Sequence, residues 1–137
     1  MKIIDADGLV LGRLASIIAK QLLNGNEIVV VNAEKAVVTG TKTSVFSKYK
    51  KMRDLSHARS GPHFPRLPDR IIKRTVRGMV PYQTPRGRKA IKNLKVYIGI
   101  PKEFENKKSQ TIELAYIGAV DQYVKLGQVS RYLGAKF

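Results

Sequence analysis

Arg70, Lys73, Arg74 and Arg77 recur at spacings of three and four, and the only acid beside them is Asp69. On a helix turning about 100° per residue they fall within one narrow stripe. Guanidinium and ammonium groups with no carboxylate to pair with have one obvious chemistry, which is to bind phosphate oxygens and neutralise their charge. Ile71, Ile72, Val76 and Met79 centre on the opposite side. The spacing therefore predicts a helix from Asp69 to Gly78 with one core face and one cationic face. Arg86 to Leu94 repeats the scheme, with Ala90, Ile91 and Leu94 inward.

These stripes belong to a larger imbalance. Residues 42 to 95 hold 16 of the 26 Lys and Arg but only Asp54 and Asp69 as acids, so they supply +14 of the net +16. The first 41 residues are neutral. Such a block repels itself in isolation, and the partner it implies is a polyanion. Candidate contacts are Arg13 at the start of the first predicted helix, then Lys42, Lys48, Lys50, Lys51 and Arg53 on the second. The loop that follows adds His57, Arg59, His63 and Arg66. Arg70, Lys73, Arg74 and Arg77 form the central stripe, and Arg86, Arg88 and Lys89 extend it. RNA is favoured over duplex DNA, because no zinc finger, basic zipper or basic helix-turn-helix is present. Histidines, Phe64, Tyr82 and guanidinium planes also offer surfaces on which splayed bases stack.

The positioning elements are legible in outline. Lys2 to Ala6 reads as a strand, Asp7-Gly8 as a turn, and Leu11, Leu14, Ala15, Ile18 and Leu22 as one face of a helix ended by Asn24-Gly25. Ile28 to Val31 is an unbroken β-branched run, the pattern of a strand buried on both faces of a parallel sheet with helices on each side. This is a βαβ start. A second helix is expected to start near Thr41 to Thr43, with Val45, Phe46, Tyr49 and Met52 inward, and another buried strand from Lys95 to Gly99. Prolines 62, 65 and 68 forbid regular helix between them and predict a loop of fixed shape that holds His63, Phe64 and Arg66 outward. Pro68 then suits the first turn of the next helix. Gly127 to Leu133 reads as a short helix.

Other chemistries find less support. A content of 43% apolar residues with clear periodicity argues for an ordered chain, and 137 residues suffice for one domain with a proper core. Without cysteine there is neither disulfide nor thiolate site, and two histidines argue against zinc; no metal and no cofactor are expected. No signal-like or membrane-spanning run is present, and without Trp or a wide apolar stripe a lipid surface is a poor partner, so a soluble intracellular protein is expected. The alternative reading is a nucleotide-binding enzyme acting on RNA, with Gly8 and Gly12 in a Rossmann-like start and Glu34 lying 22 residues beyond Gly12. Against it, bulky Leu9, Val10 and Leu11 stand where a pyrophosphate must approach. The plainer account gives Gly8 to an Asp-Gly turn and Gly12 to close helix packing. Asp5 and Asp7 read as turn carboxylates rather than a catalytic pair.

Leu11-Gly-Arg-Leu-Ala-Ser16, Val30-Val-Asn-Ala-Glu34 with Thr39-Gly40, Gly61-Pro62, Val76-Arg-Gly-Met-Val-Pro81, Gly87-Arg88 and Leu94-Lys-Val-Tyr-Ile-Gly99 form an ordered set. Over about residues 3 to 101 the chain resembles the universal large-subunit ribosomal protein thirteen family. Gly61-Pro-His-Phe-Pro-Arg66 is similar to the archaeal and eukaryotic branch. The resemblance implies a three-layer α/β/α fold around a four-stranded parallel sheet, with basic helices on the RNA-facing side. It implies one ribosomal-protein domain over residues 1–137, with a core to about 101 and a C-terminal extension from about 102. It further implies a structural, non-enzymatic role in the cytoplasmic large subunit, in its assembly and in translation. The implied partners are large-subunit rRNA and neighbouring ribosomal proteins, with no small-molecule substrate. In that setting the cations at 70, 73, 74 and 77 neutralise phosphates, the loop around His63 and Arg66 fits an RNA crevice, and Gly78 and Pro81 shape the end of a helix.

Overall fold

A computed structural model describes every residue of the chain except Ser56. Strand β1 (Lys2–Asp5), helix α1 (Leu11–Leu23) and strand β2 (Ile28–Val31) form the expected βαβ unit, with β1 and β2 parallel in the register Ile3 to Val29 and Ile4 to Val30. Helix α1 stops at Asn24, where Gly25 takes a φ of +89°. All four residues of β2 are buried, and β4 (Leu94–Val96) lies parallel on its other side, which gives the order β1-β2-β4.

The sheet has three parallel strands rather than four. A short 3-10 turn at Ala33–Lys35 redirects the chain, so that β3 (Val37–Thr39) leaves the sheet and pairs antiparallel with β5 (Tyr123–Lys125). Among the described residues the free edge of β1 is met by Gln110, whose N–H donates to the Ile3 carbonyl and whose carbonyl accepts from the N–H of Asp5. The polar run 102–110 does not extend that ladder: it has no β-branched residue, and its one aromatic, Phe104, packs on the face of the sheet.

Burial on both faces of β2 holds, but helices on both faces do not. Ile28 and Val30 join the main core with Leu14, Ile18, Ile71 and Ile72 from the helical side. Val29 and Val31 point the other way, into a small cluster with Ile3 and Phe104, and Tyr97 tilts against Phe104 at 5.8 Å. An irregular segment after β4, not a helix, covers that face.

Helix α2 (Lys42–Asp54) starts at Thr41, whose Oγ1 accepts from the N–H of Ser44 at 3.3 Å. It buries Val45 and Tyr49, with Phe46 and Met52 half-buried. Helix α3 (Pro68–Met79) packs across α1, and Pro68 takes its first position as expected. Helix α4 (Pro85–Lys92) begins at Thr84, whose Oγ1 accepts from the N–H of Gly87 and donates to the carbonyl of Pro81. Gly87 is buried against that turn, where an added Cβ would overlap the Pro81 carbonyl. Helix α5 (Leu126–Tyr132) docks the C-terminal segment, with Gly127 close to Glu34 and Tyr132 stacked on Phe46 at 4.4 Å.

Two substitutions separate volume from backbone approach. Ile72 is fully buried, and Ile72→Ala should cost about 2–5 kcal/mol in urea unfolding through the cavity it leaves. Gly87→Ala should cost about 1–3 kcal/mol or more by overpacking the α4 cap against backbone that has no room to retreat.

Candidate nucleic-acid interface

Helix α3 carries the centre of the cationic surface. Ile71, Ile72 and Val76 are buried, while Arg70, Lys73, Arg74 and Arg77 are all exposed along the other side. Met79 departs from the expected inward face and is 45% exposed, because α3 ends there and Val80 takes the buried place. Gly78 does not end the helix through a left-handed turn; it remains helical, and extended Val80 before Pro81 makes the stop.

Two of the guanidinium groups are held by aromatic rings. Arg74 lies 5.1 Å from the centroid of Phe64, and Arg77 lies 4.4 Å from that of Tyr82. A ring face attracts the cation and fixes its plane while leaving hydrogen-bonding edges free, so little side-chain freedom remains to be lost on binding a phosphate. Phe64 is thus not held outward as its loop position suggested. It is half-buried, meets Tyr49 edge-on at 5.8 Å, and supports Arg74 from below. Burial pushes the Tyr49 phenol up from its ordinary range, which keeps it neutral.

The proline-containing loop leaves His57, Arg59, His63 and Arg66 exposed. On α2, Lys42, Lys48, Lys50 and Lys51 are exposed, and Lys42 reaches over Phe46 at 5.6 Å. Arg53 is half-buried and donates from Nη1 to the Phe64 carbonyl at 3.2 Å, which pins the loop to α2. Its role is at least partly architectural.

The fold gathers some of these groups and separates others. His63, Arg70, Lys73, Arg74 and Arg77 line a cleft of about 300 Å³ with Pro65 and Ile91. Arg53, His63, Arg66 and Arg70 also surround a wider pocket of about 690 Å³, one wall of which is Gly134, Ala135 and Lys136. Lys136 escaped the sequence reading because nothing local marks it; α5 brings it there. Arg86 and Lys89 instead flank the end of α1, where Arg86 donates from Nη2 to the Leu23 carbonyl at 3.2 Å. Arg88 is exposed on α4, and Arg13 is exposed in the first turn of α1.

The end of the sheet where an α/β enzyme would hold its nucleotide is closed by the chain's own groups. Asn32, buried at a φ of +55°, donates from Nδ2 to Asp5 Oδ1 at 2.9 Å, and its N–H donates to the Gly99 carbonyl. Glu34, the acid that the nucleotide reading gave to a ribose, accepts from the N–H of Gly99 at 2.9 Å. Asp5 Oδ1 also accepts from the N–H of Asp7, a turn role for that pair. Gly8, at a φ of +71°, lies where an added Cβ would meet the Tyr116 ring at 2.8 Å, so the chain's own aromatic fills that space. Gly12 is not a packing glycine: it is exposed, and an added Cβ would meet nothing within 4 Å. Among the described residues no group of three or more His, Cys, Asp or Glu could hold a metal, and no helix is long and apolar enough to cross a membrane.

Fold and site together define a class: a small α/β protein whose elaborated surface is cationic rather than catalytic. The family model for ribosomal protein L13 matches residues 1–103. The chain is 50% identical to the large ribosomal subunit protein uL13 of Methanococcoides burtonii over the whole of both chains. It is 53% identical to that of Archaeoglobus fulgidus over 96% of this chain and 86% of the relative, and 45% identical to that of Methanocaldococcus jannaschii over the whole of both. This chain belongs to the ribosomal protein L13 family, a family of structural rather than enzymatic proteins.

Because Arg74 and Arg77 touch only half-buried or exposed rings, replacing both by Ala should lower stability by no more than about 1–2 kcal/mol. The same double variant should bind large-subunit rRNA more weakly, with a salt slope shallower by about two. Filter binding across a salt series and a thermal melt check the two halves.

Proposed function

We propose that this chain is a structural constituent of the large ribosomal subunit, binding large-subunit rRNA through α3, the proline-containing loop and the exposed side of α2. The observation that carries the reading is the cationic stripe of α3, four bases on a helix whose opposite side buries Ile71, Ile72 and Val76 in the core. Lys73, Arg74 and Arg77 present charge to one cleft, and Arg53, Arg66 and Arg70 to the adjoining pocket. Duplex and single-stranded segments of a folded RNA offer phosphates at such varied angles, and aromatic-backed guanidiniums suit them.

Arg13, Arg88 and the lysines of α2 would add contacts at the periphery, and Arg86 and Lys89 would reach RNA only beside the end of α1. His57, Arg59 and His63 would follow the same RNA segment as the loop that bears them. Residues 102–137 work with the core rather than apart from it, since α5 packs into the core and the chain after it builds one wall of the cationic pocket. The protein sits in the cytoplasmic large subunit among neighbouring ribosomal proteins, supports assembly by fixing RNA segments to one another, and catalyses no reaction.

With six to ten phosphates engaged, affinity for large-subunit rRNA should fall roughly 10³- to 10⁵-fold between about 50 and 200 mM salt. A nearly flat response would remove the electrostatic basis of this function. A tagged copy should also stay with the large-subunit peak of a sucrose gradient after a moderately high salt wash, and release from intact subunits would contradict a constituent buried among RNA.

A further inference from the structure

One groove is not explained by phosphate binding alone. It runs between the first turn of α1 and the last turns of α3, is edged by β3 and α2, and encloses about 530 Å³. Its floor is apolar, made by Val10, Val38, Met52, Tyr49 and Phe64, and its cations, Lys48 and Arg74, come from opposite sides, α2 and α3. A cleft meant only for phosphate has no use for such a floor. A duplex does not fit this volume, whereas an unstacked nucleotide needs an apolar or aromatic surface for its base and cations for the phosphates on either side.

The groove also contains two glycines for which the fold offers no reason. Gly12 and Gly78 are both helical, both exposed, and at both an added Cβ would meet nothing within 4 Å. Elsewhere the chain's glycines answer to a visible demand, as Gly87 does to the Pro81 carbonyl and Gly8 to the Tyr116 ring. Glycine weakens a helix relative to alanine, so open space beside a helical glycine is informative when that space lies in a groove with cations on its walls. The room is left for something outside the chain.

We propose that this groove seats a single unpaired nucleotide of RNA, its base on the apolar floor, its flanking phosphates on Lys48 and Arg74, and its ribose against the backbone at Gly12 and Gly78. The proposal rests on the rRNA-binding function and names where one splayed nucleotide of that RNA is held. Lys48 is then a nucleotide contact rather than part of a diffuse basic helix surface, and Phe64 acts both as floor and as the support for Arg74.

The test uses the full-length protein and transcribed large-subunit rRNA from the genome that encodes it. Gly12→Ala/Gly78→Ala should melt at or above the wild-type temperature, because the methyl groups enter open space in helices. It should bind the rRNA about tenfold more weakly, the loss of one seated base, with the salt slope shallower by no more than about two, the two phosphates that flank it. Gly78→Leu should bind more weakly still. Affinity within twofold of wild type for both variants would overturn the proposal. Unchanged rRNA affinity with loss of the variants from large subunits in a gradient would also overturn it, by giving the groove to a neighbouring protein. If the wild-type chain itself bound rRNA without salt dependence, the failure would lie with the rRNA-binding function and not with the groove.

Discussion

The complete burial of β2 is the constraint on which the rest of the structure depends. Four consecutive β-branched or aliphatic side chains must all leave water, and a strand presents them alternately to two sides. Ile28 and Val30 therefore need one cover and Val29 and Val31 another. The first cover is the layer of α1 and α3, so the core face of α3 is dictated by β2 and its opposite face is left for charge. The second is the segment around Phe104. The interface is in this sense a by-product of satisfying the strand: once Ile71 and Ile72 are committed to the sheet, Arg70, Lys73, Arg74 and Arg77 have only one direction in which to point.

A surface holding so many like charges works against its own folding, and the chain limits this repulsion in two ways. About half of the core that carries the cations comes from the neutral first 41 residues, and the basic block adds to it the apolar faces of its helices, such as Ile71, Ile72 and Val76 of α3. Within the block, aromatic rings take the place of carboxylates. Phe64, Tyr82 and Phe46 each lie under a cation, which orders the side chain without cancelling its charge. A carboxylate partner would order the same arginine but would neutralise it. Arg53 and Arg86 show the other use of a guanidinium: each donates to a backbone carbonyl, one pinning the loop and the other closing the end of α1.

The closed end of the sheet accounts for the lack of a nucleotide crevice in a fold that often has one. Asp5, Asn32 and Glu34 sit where a βαβ protein of the dinucleotide type would meet its ligand, and here they tie β1 to β2 and the turn after β2 to the segment after β4. The same residue types at the same spacing thus serve structure in one protein and ligand in another. Their distance along the chain looks alike in both cases, and only the partner of each carboxylate tells them apart.

The amino-acid sequence by itself determined the βαβ start, the end of α1 at Asn24-Gly25, the two faces of α3, the start of α2 near Thr41 to Thr43 and the polyanionic nature of the partner. Each of these follows from short-range periodicity, turn chemistry or net charge, which act within a few residues or need no geometry at all. Tertiary structure alone decided that β3 leaves the sheet for β5, that Gln110 meets the edge of β1, that Phe64 turns inward beneath Arg74, and that Lys136 joins Arg66 and Arg70. It also decided that Gly12 faces open space rather than a packed helix. These outcomes depend on which distant segments compete for the same buried surface. That competition is settled by packing in three dimensions, and no local pattern of residues records its result.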